Sequence, residues 1–226
     1  MNRINTEILD VQILSTGVRL EGNLSIPDGA KGIVLFVHGS GSSRHSPRNQ
    51  YVAQTLQEGG LATLLFDLLT PEEEQIDQRT RHLRFDISLL ARRTAGALEW
   101  LDLQPYAREF KRGLFGSSTG AAAALIAAAE LPEKVDAMVS RGGRPDLAGA
   151  ALSRVKAPTL LIVGAYDKTV IQLNKEALAL MPQETEKRLV IVPGASHLFE
   201  ESGTLEYAAR LARDWFQEHL SRVSVG

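Results

Sequence analysis

Three side chains in this sequence have the types that nucleophilic acyl transfer requires, and they occur in the order Ser, Asp, His. Ser118 is the central residue of a Gly-x-Ser-x-Gly pattern at residues 116–120. A serine hydroxyl attacks a carbonyl carbon when a base within hydrogen-bond reach accepts its proton, and His197 is the candidate base. Asp167 is the candidate acid, because a carboxylate can accept from the other imidazole nitrogen and stabilise the imidazolium. This combination predicts cleavage of an ester-like carbonyl.

The Gly-x-Ser-x-Gly pattern is common by chance, so its surroundings decide what it means. Here it lies between a short predicted strand and a predicted helix, where the chain must turn sharply and the neighbours of the serine must be small. Such a turn lifts the Ser118 hydroxyl out of the sheet, and the amides at the start of the helix face any oxyanion that forms. We therefore expect the Thr119 amide to be one oxyanion donor. Ser117 lacks the correct spacing to both glycines.

The second oxyanion donor is expected from the loop His38-Gly39-Ser40-Gly41, whose small residues let the backbone approach a ligand closely. We assign this role to the amide of Ser40 or Gly41. A phosphate-binding glycine loop is the alternative, but the sequence has neither the Walker lysine nor the third glycine of a dinucleotide fingerprint there. No cofactor is therefore predicted.

Other titratable residues are weaker candidates for the same roles. Asp67 also follows a predicted strand and is the alternative acid, and His38 is expected to organise the loop that it precedes. The glutamates at residues 72–74 follow Pro71 and are typical of a helix start, where negative charge is favoured. No histidine has convincing ligand spacing with them, so no metal site is predicted.

Arginines surround the predicted reaction centre. Arg44 and Arg48 follow the glycine-containing loop, and Arg141 and Arg144 follow the strand next to the elbow strand. The guanidinium group binds carboxylates bidentately, so Arg44, Arg141 and Arg144 are candidate substrate-binding residues for an anionic ester or lactone. The alternative is a structural role, in which these arginines pair with nearby acids: Asp67, Asp146 and the glutamates at 72–74.

The apolar pattern predicts an α/β fold. Alternation in residues 7–14 and 18–26 predicts an antiparallel hairpin at a sheet edge. Short apolar runs typical of buried parallel strands occur at residues 33–37, 62–66, 113–115, 137–140, 159–163 and 188–192. Helical segments alternate with them at residues 49–58, 82–100, 119–130, 171–180 and 204–220. This alternation predicts one mostly parallel, doubly wound sheet with helices on both faces.

The candidate site residues all follow predicted strands. Ligands of doubly wound sheets bind outside the carboxyl ends of the strands, which is where Ser118, Asp167 and His197 are expected. We interpret residues 1–226 as a single domain, since this length suits one α/β unit. No insertion is long enough for a folded lid domain, and the charged stretch at residues 71–84 is the one candidate for a mobile cover.

Composition narrows the class of protein. A formal net charge of -2 argues against nucleic acid as a partner and favours a small-molecule substrate. The absence of cysteine excludes disulfides, thiolate metal sites and a cysteine nucleophile. No apolar run approaches the roughly 18 residues of a membrane span, and the N-terminus lacks a secretory signal, so we expect a cytoplasmic protein that does not associate with membranes. A monomer and a homodimer remain equally open.

The chain resembles the dienelactone hydrolase family of the α/β-hydrolase superfamily. The resemblance rests on residues 38–41, the elbow at 116–120, Gly-Ala-Tyr-Asp at 164–167 and Ser-His at 196–197, and it extends from about Gly22 onward. It implies an α/β-hydrolase fold and hydrolysis of an ester or lactone through an acyl-enzyme, with Ser118, Asp167 and His197 as the triad. The best known members use a cysteine nucleophile, so the dienelactone substrate is not carried over to this serine-type relative.

Two other functional classes remain open at this point. Peptidase, thioesterase, acyltransferase and perhydrolase activities would use the same triad with a different substrate or acceptor. A noncatalytic ligand-binding protein could also be built on this fold, because fold does not determine function. An intact triad counts against that second class.

Overall fold

The protein, described here from a computed structural model that covers residues 6–220, is built on one eight-stranded sheet. The strands are β1 (Thr6–Ser15), β2 (Val18–Pro27), β3 (Gly32–Val37), β4 (Ala62–Phe66), β5 (Lys111–Ser117), β6 (Ala137–Arg141), β7 (Thr159–Gly164) and β8 (Lys187–Val192). Their order in the sheet is β1-β2-β4-β3-β5-β6-β7-β8. Strand β2 is antiparallel to both β1 and β4, and the remaining pairs are parallel. The predicted doubly wound sheet with an N-terminal antiparallel hairpin is confirmed.

Helices cover both faces of the sheet. The helices are α1 (Pro47–Glu58), α2 (Pro71–Thr80), α3 (Ile87–Asp102), α4 (Thr119–Glu130), α5 (Lys168–Leu180) and α6 (Thr204–Leu220), with 3-10 segments at Leu83–Phe85 and Pro145–Arg154. Alternate residues of the buried strands point to opposite faces. Val34 and Phe36 therefore pack with α1 and α6, whereas Leu35 and Val37 pack with α3 and α4. No helix within residues 6–220 combines the length and the apolar character that crossing a membrane requires.

Some element boundaries differ from those predicted. The helix predicted at residues 82–100 is interrupted, because the Asp86 carboxylate accepts from the Leu89 amide and starts α3 afresh at Ile87. The 3-10 segment Pro145–Arg154 was not predicted. Strand β8 lies at the sheet edge and is only half-buried, so the prediction of burial on both faces was wrong for this strand.

The stretch at residues 71–84, the candidate for a mobile cover, is held by contacts within itself and by one ion pair to α3. Most of it forms α2, and the fully buried Asp77 carboxylate accepts from the amides of Leu83 and Arg84 at 2.7 and 3.1 Å and pairs with the Arg84 guanidinium. Glu73 pairs with the buried Arg93 of α3 at 2.7 Å. These contacts favour a fixed wall beside the glycine-containing loop rather than a mobile cover.

Candidate active site

Ser118 lies at the sharp turn between β5 and α4, in a backbone conformation that serine rarely adopts. Its φ and ψ are 50° and -126°, and such conformations typically cost about 1–3 kcal/mol and persist only when the surroundings impose them. The neighbouring glycines allow this turn. A Cβ atom on Gly116 would lie 2.4 Å from the Cα of Ala121, and one on Gly120 would lie 2.2 Å from the carbonyl oxygen of Val37.

The end of β6 and the residues that follow it hydrogen-bond to both the amide and the carbonyl of Ser118. The Ser118 amide donates to the carbonyl of Arg141 at 3.4 Å, and its carbonyl accepts from the amide of Arg144 at 3.0 Å. Gly142 lies against His197, because a Cβ atom there would be 3.7 Å from the imidazole Nδ1. The same short segment therefore contacts both the candidate nucleophile and the candidate base.

Asp167 and His197 lie close together at the carboxyl ends of neighbouring strands. The His197 Nδ1 lies 2.6 Å from Asp167 Oδ2, so an ionised carboxylate accepts from Nδ1–H and leaves Nε2 free. The two loops are also joined through the backbone, since the Tyr166 amide donates to the carbonyl of Ala195 at 3.0 Å. Asp67, the alternative acid, is instead paired with Arg44.

Ser118 and His197 line one cavity of about 120 Å³, together with Arg48, Arg141 and residues of the loop after β3. The Ser118 hydroxyl makes no hydrogen bond within residues 6–220, and contacts of this kind often tighten only when substrate binds. A second, larger cavity of about 650 Å³ adjoins the first. The two share four polar residues: Ser40, Ser42, Ser46 and Arg48.

The loop after β3 reaches the start of α4. The Ser40 amide donates to the side-chain hydroxyl of Thr119 at 2.9 Å, so this predicted oxyanion donor already has a partner in the free protein. A Cβ atom on Gly39 would lie 2.9 Å from the Ser118 Cβ, which shows how closely the loop approaches the nucleophile. Gly41, the other predicted donor, has a φ of 71° and lies further along the same turn.

His38 ties this loop to the end of β4. Its Nδ1–H donates to the carbonyl of Gly39 at 3.0 Å, and its Nε2 accepts from the Leu68 amide at 3.1 Å. Both contacts require the neutral ring, and burial lowers the pKa of His38 below its usual value. The role predicted for His38, organising the loop, agrees with these contacts.

The three candidate substrate-binding arginines have different surroundings. Arg44 pairs with both Asp67 and Glu21, and Arg144 forms a two-bond pair with Asp146 at 2.7 and 2.9 Å. Both arrangements match the structural alternative considered for these residues. Arg141, by contrast, has no carboxylate partner among residues 6–220.

Arg141 is buried beside the candidate nucleophile. Only 8% of its surface is exposed, and its guanidinium lies 5.9 Å from the ring centres of both Phe115 and Phe199. Its Nη2 donates to Asn49 Oδ1 at 3.4 Å, whereas Nη1 has no hydrogen-bond partner within residues 6–220. Burial lowers the pKa of Arg141 to about 10, and the positive charge of Arg48 adds to this effect. The site thus holds a positive charge that no acid in the described part of the chain neutralises.

Two contributors to the site were not predicted from the sequence. Asn49, whose side chain contacts Arg141, is 92 positions away along the chain and belongs to no motif. The Thr119 side chain was not considered, since only its backbone amide was assigned a role. Within residues 6–220, no group of three or more His, Cys, Asp or Glu side chains is arranged to hold a metal ion.

The chain matches one protein family model and two curated proteins from Mycobacterium tuberculosis. The model of the dienelactone hydrolase family matches residues 20–223. The chain is also 56% identical over 211 residues to a Mycobacterium tuberculosis H37Rv protein that is provisionally named a phosphoribosyl transferase. That match covers 93% of this chain but 46% of the relative, so the chain spans about half the length of the curated relatives that it matches.

Solved structures give the same assignment. The crystal structure of a dienelactone hydrolase from Anabaena variabilis ATCC 29413 is 62% identical in sequence, has a TM-score of 0.93, and the match covers 95% of this chain and 99% of that one. Est1E from Butyrivibrio proteoclasticus shares the fold at 14% identity, with a TM-score of 0.73 and coverage of 94% and 99%. The chain therefore belongs to the dienelactone hydrolase family, within the α/β-hydrolase superfamily.

Proposed function

We propose that this protein hydrolyses carboxylic esters or lactones through an acyl-enzyme formed on Ser118. The observation that carries the proposal is the 2.6 Å contact between Asp167 and His197, in a site where His197 and Ser118 line the same cavity. The strained backbone of Ser118 supports it as well, because strain of this kind concentrates at functional sites.

The proposed reaction follows from these positions. Asp167 accepts from His197 Nδ1–H, so Nε2 takes the proton of the Ser118 hydroxyl as its oxygen attacks the substrate carbonyl carbon. The amides of Thr119 and of Ser40 or Gly41 stabilise the oxyanion. The imidazolium then protonates the leaving alcohol. Water, deprotonated by His197, attacks the acyl-enzyme in the second half of the cycle and restores the Ser118 hydroxyl.

The unpaired charge of Arg141 favours a substrate that carries an acid group. Of the buried arginines within residues 6–220, Arg93 and Arg112 pair with Glu73 and Asp102, whereas Arg141 has no carboxylate within 4.0 Å. Buried charges in proteins are normally paired, because an isolated charge loses its hydration without compensation. In this proposal, a carboxylate of the substrate supplies the missing partner beside Ser118, and the rest of the substrate extends into the larger polar cavity.

The transferase name of the Mycobacterium tuberculosis relatives does not change this proposal. The match leaves more than half of each relative's length outside the region that they share with this chain. Nearly all of this chain matches the hydrolase family. We assign any phosphoribosyl transfer by those relatives to the part of their chains outside the matched region.

Labelling with a fluorophosphonate probe tests the proposed nucleophile. The wild-type protein should react, and Ser118→Ala should not, since the probe forms a bond to an activated serine oxygen. Ser117→Ala is the matched control and should label like the wild type. A folded wild-type protein that stays unlabelled would contradict the proposal.

A second pair of variants tests the proposed acid. Asp167→Asn should lower kcat by roughly three to four orders of magnitude, as in other triads, because it removes the acceptor that orients His197. Asp67→Asn changes an acid at the end of another strand and should retain most of the activity. Loss of activity confined to Asp67→Asn would overturn the assignment. Peptide and thioester substrates assayed in parallel separate ester hydrolysis from the related activities.

A further inference from the structure

The side-chain hydroxyl of Thr119 lies between the two elements expected to stabilise the oxyanion. Thr119 directly follows Ser118 and is the first residue of α4, and only 6% of its surface is exposed. Its Oγ1 accepts from the Ser40 amide at 2.9 Å. The hydroxyl therefore contacts one proposed backbone donor and belongs to the residue that supplies the other.

The hydroxyl proton of Thr119 has no acceptor in the part of the chain that the structure describes. Threonines inside helices usually donate to the carbonyl four residues earlier. Thr55 donates in this way to Tyr51 and Thr94 to Leu90, at 3.1 and 2.9 Å. Thr119 begins its helix, so the preceding turn offers no such carbonyl. A buried hydroxyl whose donor is unused is unfavourable unless a ligand supplies the acceptor.

We propose that the Thr119 hydroxyl is a third oxyanion donor, in addition to the two backbone amides. The inference rests on the proposed function, since it concerns the tetrahedral intermediate formed at Ser118. In the free protein, Oγ1 accepts from the Ser40 amide, so the Gly41 amide is the second backbone donor in this proposal. When the substrate carbonyl oxygen becomes an oxyanion, the O–H of Thr119 donates to it. No proton is transferred, so the hydroxyl acts by hydrogen bonding alone.

The test compares Thr119→Val, which keeps the shape of the side chain and removes the hydroxyl, with Thr119→Ser, which keeps the hydroxyl. Removal of one oxyanion donor from other enzymes lowers kcat by roughly 100- to 1000-fold. With two amides retained here, we expect Thr119→Val to lower kcat about tenfold to hundredfold and to change KM by less than about threefold. Thr119→Ser should recover kcat to within about threefold of the wild type.

The matched control is Thr94→Val, since Thr94 is a fully buried helical threonine whose hydroxyl donates to Leu90. It should leave kcat unchanged even if it lowers the thermal midpoint. Thr119→Ala provides a second hydroxyl-free variant in case the valine disturbs the start of α4, because alanine is well tolerated in helices.

A trifluoromethyl ketone separates oxyanion stabilisation from a general loss of structure, because its adduct with serine carries an oxyanion. Its inhibition constant should rise across the Thr119 variants in proportion to the loss of kcat/KM. An unchanged or higher kcat in Thr119→Val and Thr119→Ala would overturn the inference. If the wild type neither turns over esters nor reacts with the fluorophosphonate, the proposed function itself fails. If the wild type is active and removal of the Thr119 hydroxyl leaves kcat unchanged, only the third oxyanion donor is rejected.

Discussion

Two segments bring arginines to the mouth of the candidate active site, and they differ in what surrounds the charge. In the β3 segment (residues 38–48), Arg44 is held by the carboxylates of Asp67 and Glu21. In the β6 segment (residues 141–144), Arg141 is buried without a carboxylate, and its neighbours are Asn49 and two phenylalanine rings. The first charge is neutralised by the fold, whereas the second has no carboxylate partner within residues 6–220.

From this difference we infer a structural role for Arg44 and propose a binding role for Arg141. A neutralised arginine has little left to offer an anionic substrate, because its charge is already paired. A buried arginine without an acid partner destabilises the free protein, because it loses hydration without a compensating ion pair. Such an arrangement is expected where function requires it, and Arg141 borders the same cavity as Ser118 and His197.

The largest expected effect separates the two arginines by substrate charge. Arg141→Met should raise KM for p-nitrophenyl hemisuccinate about tenfold to hundredfold, with a much smaller change for the neutral p-nitrophenyl valerate, because a charge-assisted hydrogen bond is worth roughly 1.5–3 kcal/mol. Arg44→Met is the matched control and should affect both esters to the same extent. Equal effects of Arg141→Met on both esters would contradict a role of the Arg141 charge in binding anionic substrates.

A smaller effect is expected on stability, with opposite signs for the two residues. Arg141→Met should be at least as stable as the wild type, with a free energy of unfolding up to about 2 kcal/mol higher, since an unpaired buried charge is replaced by an apolar side chain. Arg44→Met should lose about 1 kcal/mol, because it leaves two acids without their partner. Urea titrations followed by far-UV circular dichroism measure both values. A marked loss of stability in Arg141→Met would show that its packing on the phenylalanine rings outweighs the cost of its charge.

The smallest effect concerns the pH dependence of the β3 segment, which His38 ties to β4. Burial lowers the pKa of His38 from its ordinary 6.5, so below that pH the unfolded chain binds a proton that the folded protein does not. Stability therefore falls as pH decreases through this window, with a contribution from His38 of at most about 1.4 kcal/mol per pH unit.

His38→Gln isolates this contribution, because glutamine retains an acceptor for the Leu68 amide and does not titrate. The stability advantage of the wild type over the variant should be largest at pH 8 and should shrink toward pH 5. A constant difference between the two proteins across that range would mean that His38 takes up its proton equally well in the folded state.

Most strands and the position of the strand-to-helix elbow could be predicted from sequence because both depend on local patterns. The elbow at residues 116–120 combines its glycines with a strand-to-helix boundary, and the structure has Ser118 at that boundary with a positive φ. Boundaries controlled by single side-chain contacts were less predictable. Asp86 illustrates this, since its carboxylate starts α3 inside a stretch that reads as one continuous helix.

The choice between Asp67 and Asp167 shows what the sequence left open. Both follow strands, so only the order Ser, Asp, His along the chain favoured Asp167 at the sequence level. In the sheet, β7 and β8 are neighbours, which brings Asp167 next to the loop that carries His197. Strand β4 is separated from β7 and β8 by β3, β5 and β6, and Asp67 at its end forms an ion pair with Arg44. The geometry thus supports Asp167 through strand order, a property that no local pattern encodes.

By itself, the sequence determined the class of fold, the Gly-Ser-Ser-Thr-Gly elbow and the exclusion of a cysteine nucleophile. These features follow from residue type and short spacing, which control local backbone conformation. Only the tertiary structure decided which acid contacts His197, which arginines are neutralised, and that the Thr119 hydroxyl meets the Ser40 amide. Those contacts join residues that are distant along the chain, and they depend on the strand order and burial that arise when the whole sheet is assembled.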